Sequence, residues 1–293
     1  MSTAKIDQMA GKYMNHDMIN LHTDLPEFPQ GRVSLLYAVL QHQPEAAKDK
    51  QLFALVTSLV QMGLDTHEMV DNAPSGIGGV LGMRAQQLKV LAGDYFSSRF
   101  YHLLSQAGQI DVVRRLSEAV CQVNRLKMIF YSKTKQMKMD AEEYLHYGAE
   151  LRSGLFLSFT GFMSGLYERL WPEILNAFSR CEVLMNELGK VEKGAFLDGS
   201  WGMWHIMQEG SEDDRRMLTE RREDTGMFEA LLSKYDVAEK LDGLLRQATA
   251  QLQTTLQRLQ SDTLLSELQP IIEPFAQAGK LRAAVLKELG QGI

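Results

Sequence analysis

Three short stretches of this sequence hold residues whose types and spacing could do chemistry. The first is Leu64-Asp65-Thr66-His67-Glu68-Met69-Val70-Asp71. On a helix, His67, Glu68 and Asp71 share a face, because neighbours three and four apart lie together. A histidine and an aspartate so placed can share a cation, but two ligands do not define a metal site. The zinc-protease pattern HExxH is absent, since Asp71 stands where its second histidine belongs. Two readings stay open: polar groups lining a cavity, or a helix end turned to water. The second stretch is Leu91-Ala92-Gly93-Asp94-Tyr95-Phe96-Ser97-Ser98-Arg99. Asp94 falls in the middle of an apolar helix expected to be buried, where a carboxylate needs a partner or a wet cavity. Arg99 is poorly placed to be that partner, so both a structural pair and a functional role stand. The third runs from Ala177 to Glu187. There Glu182 and Asn186 are four apart and Glu187 is adjacent, a pattern common on solvated helix faces.

The elements that must position these residues are helical. Apolar residues recur at Val112, Leu116, Ala119, Val123, Leu126 and Phe130, in steps of three and four. Asp111, just past Gly108, is a start signal for that helix. A longer stripe passes through Ala238, Leu241, Leu245, Ala248, Leu252, Leu256 and Leu259, with Gln247, Gln251, Gln253 and Gln257 off it. It predicts one long amphipathic helix within Phe228 to Leu259. Gln51 to Gly63 and Leu88 to Leu104 are apolar around most of their circumference, as befits helices in the middle of a bundle. Breaks are expected at Asn72 to Gly82 and at Leu188 to Gly202. A loop with a solvated helical turn is expected within Glu209 to Asp224. Alternating strand patterns with hairpin turns are scarce, and no GxGxxG, P-loop or internal repeat is visible. The expectation is an all-α fold, a helical bundle in one domain spanning 1–293.

Composition narrows the class of function. The 293 residues carry a net charge of −6, with 45% hydrophobic and 23% charged residues. An acidic balance argues against a nucleic-acid partner, which selects a concentrated basic face. Cys121 and Cys181 lie far apart with no CxxC pairing, and are expected to be buried or half-buried thiols in a reducing compartment. The N-terminus lacks the apolar core of a signal peptide. The richest apolar run, Gly154 to Leu170, is interrupted by Ser158, Thr160 and Ser164 and is expected to be a buried helix, not a membrane span. A cytoplasmic protein with no membrane span is the expectation.

The motifs together resemble the trans-prenyl diphosphate synthases, and more closely the component 1 family of heptaprenyl diphosphate synthases. The resemblance is carried by VLAGDYFSSRFYHLLSQAG with LDTHEMVDN upstream, and by LSEAVCQVNRLKMIFY, EEYL, LRSGLFLSF and KYDVAEKLDGLL downstream. It extends in order from about Ser34 to Phe275 and implies the isoprenoid synthase fold. In catalytic members two DDxxD motifs hold magnesium ions that bind the allylic diphosphate. Matched against that pattern, this chain is degenerate. His67-Glu68-Met69-Val70-Asp71 stands for the first motif and Glu182-Val183-Leu184-Met185-Asn186 for the second. The paired arginines that follow the first motif are absent from NAPSGIGGVLG. Arg152, in RSG, stands where a Lys-Thr-Ala lysine is usual.

Several expectations follow from the resemblance. The chain has kept the fold and lost the chemistry, with no catalytic residue and no metal of its own. Asp94 and Arg152 are relics or contacts. A catalytic component 2 carries the intact motifs and the magnesium, in a heterodimer or larger assembly. Together the two make all-trans-heptaprenyl diphosphate from farnesyl and isopentenyl diphosphates for the menaquinone side chain. The apolar helices Gln51 to Met62 and Leu88 to Leu104 are candidates for the interface, with Phe96, Phe100, Tyr101 and Leu104 as anchors or, equally, as core. The chain alone could form a homodimer. Two other readings remain at this stage: a divergent prenyltransferase using Glu68, Asp71, Glu182 and Glu187, or a helical adaptor unrelated to isoprenoids.

Overall fold

In the computed structural model, residues 4–70, 79–193, 199–220 and 225–290 are described. Every regular element among them is helical. The described contacts group into two compact units. One comprises Met1–Val120 with Leu155–Glu168, the other Cys121–Gly154 with Arg169–Ile293.

The first unit is built around helix α4 (Lys50–Glu68), which packs on α1 (Ala4–Met14), α3 (Gln30–Gln41) and α5 (Gly79–Gln106). The short α2 (Asp17–His22) lies against α5. Nearly all of α4 from Phe53 to Leu64 is buried, and so is α3 from Arg32 to Leu40. A helix buried all round must satisfy its own polar side chains. Thr57, Ser58 and Thr66 do so by donating to the carbonyls of Phe53, Leu55 and Met62 at 2.7, 2.7 and 2.6 Å. The seam between α4 and α5 depends on two glycines. A Cβ at Gly63 would lie 2.4 Å from Ser97 Oγ and 3.0 Å from the Gly93 carbonyl oxygen. One at Gly93 would meet the His67 ring at 2.7 Å. Only hydrogen at both positions lets the two backbones approach this closely.

Gly108 adopts a left-handed φ of +69°, and α6 (Ile110–Lys135) starts two residues later. The expected stripe is its inner face: Val112, Leu116 and Val123 are buried, and Ala119, Leu126 and Phe130 are half-buried. The expected helix over Gly154 to Leu170 is corrected. That stretch is a 3-10 turn (Phe156–Phe162), a reversal at Gly165 with φ +60°, and then the start of α8 (Leu166–Glu192). Phe156 and Phe159 are buried, but the repeated small and hydroxylated residues favour the tighter turn. There Ser158 and Thr160 donate back to Leu155 and Leu157 carbonyls.

The second unit contains α7 (Ala141–Ser153), most of α8, α9 (Trp201–Glu209), α10 (Glu212–Glu220), α11 (Thr225–Lys234), α12 (Val237–Gln257) and α13 (Asp262–Gly290). Asp140 starts α7 with a capping box, accepting the Glu143 amide at 2.7 Å. The stripe from Leu241 to Leu259 is buried and the four glutamines beside it are exposed, as expected. The helix over Phe228 to Leu259 is, however, two helices. They part at Tyr235 and Asp236, and Asp236 takes φ +49°. Of the expected break at Leu188 to Gly202, α8 takes up the start by continuing to Glu192 and α9 the end by beginning at Trp201, and residues 194–198 lie outside the described residues. The break at Asn72 to Gly82 lies largely outside the described residues, α5 beginning at Gly79. Cys121 is exposed, which corrects its expected burial, and Cys181 is buried. Neither is in a disulfide. No helix among the described residues is long and apolar enough to cross a membrane.

The turn that splits α11 from α12 is held by a polar knot. Buried Asp214 of α10 accepts from Lys234 Nζ at 2.7 Å, Ser211 Oγ at 2.6 Å and Tyr235 OH at 2.5 Å. Lys234, then Ser211 and Tyr235, hold the Asp214 carboxyl well below the usual carboxylate range. A carboxylate depressed by folding stabilises the fold fully above its unfolded pKa, about 4, and that contribution is lost as pH falls through and below it. Thermal melts between pH 7 and pH 3 should therefore fall less steeply for Asp214→Asn than for the wild type. Parallel curves would remove Asp214 from the acid-labile groups.

Candidate functional site

His67 sits in the last turn of α4. Its Nε2 lies 3.4 Å from Asp94 Oδ1 on α5, with the two side chains 36% and 66% exposed. The close approach allowed by Gly93 puts the imidazole against α5, so two of the stretches singled out above meet in space. Asp94 is thus a surface carboxylate paired with a histidine, which corrects its expected burial. The reason is that α5 is not buried all round: Leu91 is 62% exposed, and Val90 and Tyr101 also face out. Glu68 is exposed, and Lys89 Nζ reaches the Met69 carbonyl at 3.4 Å, a cation at the helix C-terminus. Asp71 lies outside the described residues.

One turn back from His67 is a polar relay that no local spacing announced. Buried Arg32 donates to Gln61 Oε1 at 3.3 Å, and Gln61 Nε2 donates to Asp65 Oδ1 at 2.7 Å. The Arg32 guanidinium also lies 5.4 Å from the Phe156 ring centre. These groups tie α3, α4 and the 3-10 turn together beneath the helix end. Beside α5, a small cleft of about 180 Å³ is lined by His16, Met18, Ile19, Leu88, Leu91, Ala92 and Tyr95. It offers hydrocarbon contact, one imidazole and one phenol, with no charged side chain among its lining residues to hold a diphosphate.

The third stretch lies on α8 in the second unit. Asn186 is exposed, Glu182 is half-buried and Val183 is buried against Gly148, where a Cβ would meet Val183 at 3.1 Å. The residue that matters chemically is Glu187, and it is not on a solvated face. It is 2% exposed. Its Oε1 accepts from Tyr144 OH at 2.8 Å and Lys190 Nζ at 2.5 Å, and its Oε2 accepts the Trp201 backbone amide at 2.8 Å. Burial and then the Glu187 charge push the Tyr144 phenol upward, so it stays a neutral donor. Trp201 also stacks on His205, with ring centres 4.8 Å apart and planes within 4°. Lys240 lies 2.9 Å from His205 Nε2. Burial, then the Lys240 charge, lowers the His205 pKa, so the neutral imidazole accepts from Lys240. Arg152 donates to the Gly148 carbonyl of its own helix at 3.3 Å.

Magnesium takes several hard oxygens in an open octahedral arrangement. Here the oxygens of Glu187 are already taken by three protein donors, Val183 is in the core, and His67 turns to Asp94. Among the described residues no three His, Cys, Asp or Glu side chains cluster as metal ligands.

Of the four aromatic and aliphatic anchors on α5, Phe96, Phe100 and Leu104 lie in the chain's own interior at 0, 2 and 0% exposure. Phe96 joins Ala10, Leu55, Leu59, Met62 and Ala92 in one cluster. Tyr101 is the one of the four with surface to offer a partner. Its hydroxyl is 3.2 Å from Ser117 Oγ.

Residues 16–235 match the family described as heptaprenyl diphosphate synthase (HEPPP synthase) subunit 1. A curated relative, heptaprenyl diphosphate synthase component 1 of Geobacillus stearothermophilus, is 38% identical over 88 residues. That match covers 30% of this chain and 37% of the relative's length. Solved structures share the fold at low identity. The geranylgeranyl pyrophosphate synthase of Lactobacillus brevis has a TM-score of 0.71 at 13% identity, over 93% of this chain and 95% of that one. The heptaprenyl diphosphate synthase of Staphylococcus aureus has 0.68 at 14%, over 96% and 98%. The decaprenyl diphosphate synthase of Rhodobacter capsulatus has 0.70 at 15%, over 94% and 95%.

Proposed function

The chain belongs to the heptaprenyl diphosphate synthase subunit 1 family, and on that premise we propose that it is the non-catalytic subunit of a two-part, cytoplasmic trans-prenyltransferase. A catalytic second component carries the magnesium ions and the reacting groups. The complex condenses farnesyl diphosphate with isopentenyl diphosphates to all-trans-heptaprenyl diphosphate, destined for the menaquinone side chain.

The observation that supports this reading best is Glu187. In a metal-dependent prenyltransferase the carboxylates near the second motif must be free to hold magnesium and, through it, diphosphate. In this chain Glu187, the buried carboxylate next to the second motif, is spent on Tyr144, Lys190 and the first turn of α9. A carboxylate with both oxygens engaged by its own fold has become a structural group. Losing preorganised charge at a reacting diphosphate costs orders of magnitude in rate, so a chain arranged this way contributes by assembly.

The test uses the purified full chain, farnesyl diphosphate, labelled isopentenyl diphosphate and magnesium, with and without the two-DDxxD synthase of the same organism. Expected are no extractable labelled product from this chain alone and a long-chain product from the mixture, at least about a hundredfold above either component. Long-chain product from this chain alone would overturn the reading in favour of a divergent active enzyme. Failure of the two chains to co-elute would equally remove it.

A further inference from the structure

His205 stands at the centre of α9 and is 8% exposed. One face of its ring is stacked on Trp201, four residues back, with the planes within 4°. Its Nε2 lies 2.9 Å from Lys240 Nζ, in the first turn of α12. The two helices come this close because Gly202 faces Val237: a Cβ at Gly202 would lie 3.2 Å from Val237 Cγ1. A lysine ammonium has three donors and no acceptor, so the contact exists only while Nε2 carries a lone pair. The imidazole is therefore neutral, with its proton on Nδ1. A second proton on the ring would remove the acceptor and set two cations against each other. The ring is held by its stack and its burial, whereas Lys240 is exposed and can swing into water.

We propose that His205 and Lys240 form a pH-sensitive latch between α9 and α12, closed by the neutral imidazole and released when that ring takes up a proton. The surroundings set the direction of the response. Burial, then Lys240, disfavours the protonated ring, and Glu209, one turn further along α9, favours it. Among the described residues, the other charged groups around α9 meet different partners. Glu187 of α8 accepts from Lys190, from Tyr144 of α7 and from the Trp201 amide. At the far end of α9, Asp214 of α10 accepts from Lys234 and Tyr235, and Arg215 donates to the Gln208 carbonyl. On α12, Asp242 pairs with Arg246. A histidine in an unfolded chain titrates near about pH 6.5. Folding holds His205 below that value. The latch therefore contributes fully above about pH 6.5, and its contribution is lost as pH falls through the lower folded value. The Asp214 knot responds in a separate window, around and below about pH 4. Release frees the first turn of α12 from α9, while Glu187 keeps hold of the Trp201 amide.

Nuclear magnetic resonance on the full chain tests each part. At about pH 7.5, above the latch's window, the ring nitrogens of His205, assigned with His205→Gln, should show the proton on Nδ1. Lys240→Met keeps the side-chain stem and removes the charge, so the His205 titration midpoint should move up. The amide of residue 240 donates to the Asp236 carbonyl at 3.0 Å and reports on the first turn of α12. In the wild type its hydrogen exchange, corrected for the intrinsic effect of pH, should speed up about fivefold or more between about pH 7.5 and about pH 5. In His205→Gln the side-chain oxygen can still accept from Lys240, and the change should stay below about twofold. If His205→Gln does not fold, Lys240→Met carries the comparison, with a smaller acid response at the same amide than in the wild type. A proton on Nε2 above the window overturns the inference, because Lys240 could not then donate to it. So does an unmoved midpoint in Lys240→Met, or an equal acid response of the amide in the wild type and the folded variant. Each of these results leaves the subunit reading intact.

Discussion

Glu187→Ala is expected to destabilise the second unit by about 3 kcal/mol, from two donors left without their acceptor at about 1–3 kcal/mol each. The reason lies in what remains. The Tyr144 hydroxyl loses its acceptor and the first-turn amide of Trp201 loses the carboxylate that satisfies it, while the part-exposed Lys190 can turn to water. The same removal loosens the stacked Trp201 and His205 at the start of α9. A loss of that size lowers Tm by roughly 6–12 °C in a domain of this class. Glu187→Gln should fall between, because one amide oxygen can still accept but the amide nitrogen turns a donor toward donors. Thermal and urea melts of the three proteins check this. The ranking also separates two roles. If Glu187 were a magnesium ligand in a working active site, both variants would abolish activity with little change in melting. If it is the structural group argued above, melting changes first, and residual complex activity tracks the folded fraction. Melts of Glu187→Ala superimposing on wild type would refute the structural assignment.

The contrast between Glu187 and Asp94 shows what was legible in the residues and what was not. Both are acids in apolar helices, and the spacing suggested the reverse of their real surroundings. Asp94 looked buried because Leu88 to Leu104 is apolar on most sides, but an apolar residue is not bound to be inside, and Leu91, Val90 and Tyr101 stand in solvent. Glu187 looked solvated because it shares a turn with Glu182 and Asn186. Beside the local Lys190, its partners are 43 residues upstream on α7 and 14 downstream at the start of α9, and no local pattern encodes a contact at that range. The helical stripes of α6 and α12 were readable because burial repeats with the period of the backbone. The split at Tyr235 and Asp236 was not, since the apolar stripe carries straight across it. What turns the chain there is Asp214 gathering Ser211, just before its own helix, with Lys234 at the end of α11 and Tyr235 in the turn. The His67 and Asp94 pair was half-legible. Each residue stood out alone, and their meeting depends on Gly63 and Gly93 bringing α4 and α5 together.

Phe100→Asp is expected to unfold the first unit, or leave it with a loss exceeding about 4 kcal/mol, and the comparison with Tyr101→Asp gives the result its meaning. Phe100 is 2% exposed and its ring centre lies 3.9 Å from that of Tyr101, which is 47% exposed. Truncating a buried phenylalanine alone costs about 3–5 kcal/mol, and placing a carboxylate there adds the cost of a buried charge without a partner. The neighbouring positions on α5 that face the same way, Phe96 and Leu104, are also fully buried, so nothing nearby can rotate to let water in. At Tyr101 the same aspartate faces solvent. There it removes only the ring contact with Phe100 and the hydroxyl contact with Ser117, for a loss of about 1 kcal/mol. Circular dichroism and urea melts of the chain without any partner decide the matter. An interface residue that is merely waiting for its partner would tolerate aspartate in the free chain and fail only in the complex. If Phe100→Asp melts like wild type alone and loses only assembly, Phe100 belongs to the interface and the core assignment of α5 is wrong. If it unfolds alone while Tyr101→Asp stays folded, the inner face of α5 serves the fold and partner contacts must come from surfaces outside it.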